Sequence, residues 1–472
     1  MVSQLTTAAA RRLPYILGVF VGLVFLTGCS SVATRDRFYD AITSELRSQN
    51  FDQAALKLED ARENNKYSKK DRFLYYIDAG LAHHYALSFD TSNSRFSRAE
   101  AIADELFTRS ISRAAASVLL NDNVLEYCGE DHEILYANLV AAMNYLALDK
   151  FDDAFVEIRR ANEALDLLEQ KYAKAARDLK QGAKDDSAGV AIDYSADKVR
   201  FNNDAFARYL SMHMYAAEGL GDDARIDRDL MVEAFRTQPH IYDFAPPEVI
   251  YESPERAVLS VVALTGLCPT KEAVNLRIRT DKDLDLVQIL YTDSGGAASE
   301  YGHIPMKVSV DYYFKFAIPR MVSRPSQVSA IRVVVNGDVV GSLQLIEDVG
   351  KIAIETFRAN KSLIYLRSVA RAVAKGLASH KLKKKLDTGG LAGWLKKAAV
   401  DATMDVTENA DLRCSHLLPG QIHVGDFEIE PGNYDITVEF LDHHGTVIGS
   451  NNFTNFPVTK GYFNLAEAVL LR

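Results

Sequence analysis

Few residues in this chain have types and spacings that could do chemistry. Cys29, in "LTGCSS", follows an uncharged apolar run. A thiol so placed can be a core side chain, half of a disulfide, or the nucleophile that takes up a thioether-linked group. Cys128 lies close to His132 and Glu133, but lone residues at that spacing do not make the repeated ligand pattern of a zinc site. His83-His84 and His443-His444 stand side by side without a third ligand nearby in sequence. Asp411 and Arg413, two residues apart, would project to one side of an extended segment and can form a charge-assisted pair, either fixing the following strand or receiving a partner's carboxylate. The chain has no phosphate-binding glycine loop, no His-Glu-x-x-His, no Cys-x-x-Cys and no Gly-x-Ser-x-Gly. No catalytic set, no metal site and no cofactor are therefore expected.

What precedes Cys29 decides its chemistry. Arg11 and Arg12 lead into an apolar stretch from Leu13 to Phe25, the layout of a secretory signal, and the run is shorter than the ~20 residues of a spanning helix. Leu26-Thr27-Gly28-Cys29 is similar to the lipobox of bacterial lipoproteins. That resemblance implies a signal peptide over residues 1–28, acylation of Cys29 and a lipidated tether over 29–36, with the lipid bilayer as first partner. Ser30, where inner-membrane lipoproteins carry aspartate, implies sorting to the outer membrane, with the protein on its periplasmic face. The alternative is an ordinary secretory signal that ends in cysteine.

The 472 residues include 54 Lys and Arg against 64 Asp and Glu, a formal net charge of −10. Nucleic acid is excluded as an expected partner, because phosphate binding needs a concentrated basic surface. Beyond Cys29, an oxidising compartment permits one disulfide among Cys128, Cys268 and Cys414. Cys268–Cys414 is the favoured pair, and three buried thiols are the alternative.

From Phe38 to about Phe235 the chain is rich in Ala, Leu, Glu and Arg and almost free of proline. "NFDQAALKLEDA" from Asn50 matches "KFDDAFVEIRRA" from Lys150, aligning Phe51, Ala54, Leu58 and Ala61 with Phe151, Ala154, Ile158 and Ala161. Spacings of three and four put these side chains on one helical face. The pattern resembles the second helix of a tetratricopeptide repeat, with Ala142 and Tyr145 at the small and aromatic positions of a first helix. Asp71–Tyr85, with Gly80, reads as another first helix and Ala205–Phe235 as a further pair, while the polar segment 171–197 interrupts the array. The expectation is a degenerate solenoid of three or four helix pairs over 37–243, with an unrelated bundle as the alternative. A solenoid offers a concave surface to a protein partner.

"FAPPEVIYESPERA" breaks helix and reads as a linker over 244–257. Strands are expected at Val258–Leu264, Ala273–Arg279, Leu286–Tyr291, Val308–Phe316, Ile331–Val335 and Val339–Leu345, the last two joined by Asn336-Gly337-Asp338. Inserted helices follow at about 348–407. Gln421–Glu430, Tyr434–Leu441 and Val447–Phe453 then form a meander. The fold class is α+β and multidomain: an all-α, tetratricopeptide-like solenoid followed by an α+β domain over 258–472 with antiparallel sheet.

"SRPSQV" at 323–328, "ENADLRCSHLLPGQI" at 408–422 and the "EPGNYDITV" that follows are similar to a family of uncharacterised bacterial outer-membrane lipoproteins with a tetratricopeptide-like region. The resemblance makes Asp411, Arg413 and Pro419 motif residues, with Ser415 where an aromatic is expected, and implies a link to peptidoglycan synthesis or envelope assembly. The expected function is that of a non-enzymatic outer-membrane lipoprotein facing the periplasm, a scaffold for an envelope protein. Alternatives are an envelope enzyme, such as a cell-wall hydrolase with a site assembled from distant residues, and a surface-exposed assembly subunit or adhesin.

Overall fold

The structure is a computed structural model that describes residues 35–117, 125–166, 200–281, 283–284, 286–292, 298–305, 312–358, 364 and 410–472. Leu26, Thr27, Gly28, Cys29 and Ser30 lie outside the described residues, as does the segment 171–197. Helices occupy the N-terminal half and antiparallel and mixed sheets the C-terminal part, an α+β fold.

Four αα-hairpins stand among the described residues. They are α1 (Arg35–Arg47) with α2 (Phe51–Glu63), α3 (Arg72–Tyr85) with α4 (Phe89–Ser117), α5 (Asp131–Ala147) with α6 (151–166), and α7 (Ala205–Ala217) with α8 (Gly221–Thr237). Each turn has the same cap. Gln49, Leu87, Asp149 and Gly219 adopt φ of 57–75°. The next N–H then reaches back to a carbonyl of the first helix: Asn50 to Glu45, Ser88 to His83, Lys150 to Tyr145 and Leu220 to Tyr215, at 2.8–2.9 Å. This is the Schellman arrangement, which satisfies carbonyls a helix end would otherwise leave open. Each second helix then turns a small residue inward, and Ala54, Ser92, Ala154 and Ala224 are all 0% exposed. Leu58, Ala61, Ile158 and Ala161 are buried on the same faces and Ala142 on the first helix α5, while Phe51, Tyr145 and Phe151 are half-buried against the core.

The strands are β1 (Ala257–Leu267), β2 (Thr270–Asp281), β3 (Leu286–Thr292), β4 (Ala298–Pro305), β5 (Tyr312–Val322), β6 (Ala330–Val335), β7 (Asp338–Ser342), β8 (Gln344–Glu347), β9 (Pro419–Ile429), β10 (Gly432–Leu441), β11 (Val447–Val458) and β12 (Asn464–Leu470). They form a mixed sheet β12-β1-β9-β8, with β12 parallel to β1, and two antiparallel sheets, β11-β10-β6-β7 and β4-β3-β2-β5. Strand β1 is buried on both faces, as alternation on a strand allows. Leu259, Val261 and Ala263 pack on Ile331, Val333, Val438 and Phe440 of the β10 sheet. Val262 and Leu264 join Ile422, Val424 and Val469 in a core shared with the helices. The result is three layers: helices, mixed sheet, antiparallel sheet.

Several sequence expectations need correction. Val339–Leu345 is not one strand: β7 and β8 lie in different sheets, because Leu343 between them is buried in the core between the sheets. The expected meander is broken, since β9 pairs with β1 and β8 while β10 pairs with β6 and β11. Ile422 and Val424 of β9 face the helical core, whereas Ile436, Val438 and Phe440 of β10 face the core between the sheets. Strands β4 and β12 correspond to none of the strands expected from the sequence. Of the expected inserted helices, residues 349–358 are helical (α9), and apart from residue 364 the remainder to 407 lies outside the described residues. Residues 244–256 carry no helix or strand but are tied down, with Ile250 N–H donating to Asp426 at 3.0 Å and Phe244 edge-on to Phe235 at 5.5 Å.

Gly80 sits inside α3 where α4 crosses it, and a Cβ there would stand 2.5 Å from the buried Phe96 ring. Alanine in a helix interior normally gains up to about 1 kcal/mol over glycine. Here overpacking dominates, so Gly80→Ala is expected to destabilise by roughly 1–3 kcal/mol in urea unfolding. A stabilised variant would refute the close crossing.

Candidate functional site

Residues 410–418 carry no helix or strand and run as a strap against the helices and the start of β2. Arg413, with a side chain 2% exposed, grips Asp411 through two bonds, Nε to Oδ1 at 2.8 Å and Nη2 to Oδ2 at 2.6 Å. Its Nη1 donates to Asp71 Oδ1 at 3.2 Å and to the Leu125 carbonyl at 3.0 Å, and its guanidinium lies over the Tyr127 ring at 5.1 Å. The Asp–Arg pair is therefore made within an irregular strap rather than along a strand. It faces inward, and its donors are engaged inside the chain. Pro419, which ends the strap, opens β9 and is buried.

Around the strap each polar group meets a partner. Ser415 Oγ donates to Asp78 Oδ1 at 2.8 Å, and the hydroxyls of Tyr67 and Tyr39 donate to Asp78 Oδ2 at 3.0 and 2.5 Å. One residue on, His416 stacks on Tyr39 with centroids 3.9 Å apart. Glu133 accepts from Tyr127 at 2.7 Å, from the Glu130 N–H at 2.8 Å and from the Ser415 N–H. Lys271 pairs with Glu130 and donates to the Arg413 carbonyl at 3.1 Å. Arg324, from "SRPSQV", donates to the carbonyls of Cys268 and His416 at 2.6 and 3.0 Å, tying segment 323–328 to the strap. Burial pushes the carboxyls of Asp78 and Glu133 up to about 7. Burial would also raise Asp411, but the Arg413 guanidinium overrides it and holds that carboxyl below its usual value.

A second polar cluster lies between the helices and the mixed sheet. His84 meets Asn144 Oδ1 and Glu467, each at 2.7 Å. Tyr209 donates to Asp426 at 2.7 Å, His213 Nε2 lies 3.2 Å from the same carboxylate, and Ser260 is paired with Asp426 across β1 and β9. Serine, histidine and aspartate meet here, but His213 is stacked on Phe463 and only 4% exposed, and Ser260 is 1% exposed. The cluster is sealed between layers and presents nothing to a substrate.

The remaining candidates do not converge. Cys268 and Cys414 are buried thiols, which corrects the expected disulfide; burial pushes the Cys414 thiol up to about 12. Cys128 is exposed, whereas His132 is buried beside Thr356 and driven down to about 3 by burial. His83 is held by Glu59 at 3.1 Å, and His443 and His444 are exposed in a turn. Among the described residues no three His, Cys, Asp or Glu side chains gather as a metal site. Compared with known protein families, curated proteins and solved structures, the chain finds no match.

One surface feature lies outside the sequence expectations. A groove of ≈ 450 Å³ on the first two hairpins is lined by Arg62, Tyr67, Arg72, Tyr75, Tyr76 and Arg98, among others. Its signal in the sequence is "RENNKYSKKDRFLYY" at 62–76, dense in cations and tyrosines.

Two outcomes follow from the strap. Arg413→Ala leaves the Asp411 carboxylate buried and uncompensated, so a loss of about 3–5 kcal/mol is expected in urea unfolding; a loss below about 1 kcal/mol would show that the pair does not hold the seam. Asp78, whose pKa rises from 3.8 to about 7 on folding, binds its proton more tightly when folded. Its ionisation therefore penalises the fold progressively as pH rises through that window. Asp78→Asn removes the titration, so its melting temperature relative to the parent should climb between about pH 4 and about pH 7 and level off above that. A constant difference would contradict the assignment.

Proposed function

We propose that the chain is a non-enzymatic lipoprotein anchored in the outer membrane through Cys29 and facing the periplasm, where it acts as a scaffold for another envelope protein. The observation that carries this is the ordered leader: Arg11-Arg12, the apolar run Leu13–Phe25, then Leu26-Thr27-Gly28-Cys29 with Ser30 behind it. Each buried methylene of an acyl chain contributes about 0.8 kcal/mol, and two chains suffice for stable attachment.

The scaffold reading draws support from the four hairpins. A repeated cap and a repeated buried small residue fit a degenerate tetratricopeptide-like array, an architecture that presents extended surfaces to proteins. That is a fold-level warrant. In this chain the mixed sheet already covers part of the helical layer. Gln49 Nε2 donates to the Val469 carbonyl at 3.1 Å, the Tyr85 hydroxyl to the Leu417 carbonyl at 2.8 Å, and Phe151 packs on Tyr462 at 5.9 Å. A partner is then received on other faces of the hairpins. The buried Asp78 and Glu133 are bonded to tyrosine and serine hydroxyls and to backbone N–H groups, which fits a structural role for them. The resemblance to envelope lipoproteins directs the partner search to peptidoglycan synthesis and envelope assembly.

Metabolic labelling with a radioactive fatty acid, followed by membrane fractionation, tests the address. Cys29→Ala is expected to abolish labelling and block processing. A variant still processed, membrane-bound and of unchanged mass would overturn the reading.

A further inference from the structure

The groove on the first two hairpins inverts the sign of the chain. The protein carries a formal net charge of −10. Yet Arg62, Lys69, Arg72 and Arg98 share this groove with a single carboxylate among its described lining residues, Glu105, which Arg72 holds at 2.8 Å. Arg62, Lys69 and Arg98 have no carboxylate partner among the described residues. The groove is braced from beneath. The Arg62 guanidinium lies over the rings of Tyr75 and Tyr76 at 4.6 and 5.3 Å and donates to both hydroxyls, at 3.2 and 3.3 Å. Tyr75, itself 2% exposed, donates to Glu59 at 2.6 Å, and Arg95 holds Glu59 at 3.0 Å. The planar fork is thus fixed on two rings, with N–H donors beyond the two bonds left over.

Resting on the scaffold reading, we propose that this groove receives a carboxylate-rich peptide segment of the partner protein. The cations come from the end of α2, the connection after it, the start of α3 and the middle of α4, with tyrosine rings, Asn65 and Ser68 among them. A single small anion engages one or two of these groups. A peptide with spaced carboxylates engages the set. Arginine clusters read acidic motifs, and Tyr and Arg are the residue types that anchor interfaces.

The test uses the full acylated chain in mild detergent and a fluorescent synthetic peptide of alternating glutamate and tyrosine, read by anisotropy. The acidic peptide is expected to bind, a lysine–tyrosine peptide is not, and inorganic phosphate at matched concentration should not displace the probe. Arg62→Glu and Arg98→Glu should each weaken binding about tenfold, and rising salt should weaken it further. Lys69→Glu, at an exposed position, gives a third variant, and unchanged thermal unfolding shows that each is folded. No binding, binding indifferent to the three reversals, or displacement by phosphate overturns the proposal. So does a dimer of the chain in sedimentation that Arg62→Glu abolishes. Acyl label on Cys29 is scored in the same preparation. An intact anchor without peptide binding rejects the groove alone, and peptide binding without an anchor rejects the membrane address alone.

Discussion

A polar or charged group taken out of water must find a partner, and the strap at 410–418 is where this chain meets that demand. Its backbone has no ladder of its own, so its peptide groups bond to side chains from other elements: the Ser415 N–H to Glu133, the Arg413 carbonyl to Lys271, the Leu417 carbonyl to Tyr85 and the His416 carbonyl to Arg324. Each bond satisfies a buried peptide group and fixes one element against the strap. The helical layer and the sheets are therefore positioned through the same few residues. A buried ionic network is weak as a source of stability, but losing one member leaves the others without partners.

Strand β1 imposes the second constraint. Its residues contribute alternately to two cores, so a one-residue slip would exchange the faces it offers to helices and sheet. Its register is held from both sides, with Val261 opposite Gly425 on β9 and opposite Ala466 on β12. The small residues on those neighbours suit a strand that must lie between two packed layers.

Local periodicity made much of the helical half readable. Phe51 and Phe151 open matching faces because the three-and-four spacing survives in both segments. The hairpin at Phe89 is masked in the sequence because Ser92 stands where Ala54 and Ala154 stand in the matched segments and Phe96 where Leu58 and Ile158 do. The sheets were harder to read. "NLAEAVL" has the composition of a helix, and it becomes β12 only because β1 offers a parallel edge between two cores. Pro431-Gly432 reads as a hairpin turn, yet the strands on either side belong to different layers, a fact carried by side-chain burial and absent from the turn itself. Asp411 and Arg413 were legible as a local pair. Asp71, which meets Arg413, and Asp78 and Glu133, which meet Ser415, are not legible in the same way, since each lies more than 280 residues from the strap residue it meets.

Residues near 470 are clasped to residues near 48: Arg472 Nε donates to the Arg47 carbonyl, and Gln49 donates to the Val469 carbonyl, across 425 and 420 residues. A loop of that size closes late, because ordering so much chain must precede the reward of the contact. The earliest helices thus wait, oily side outward, for a strand that arrives hundreds of residues behind them.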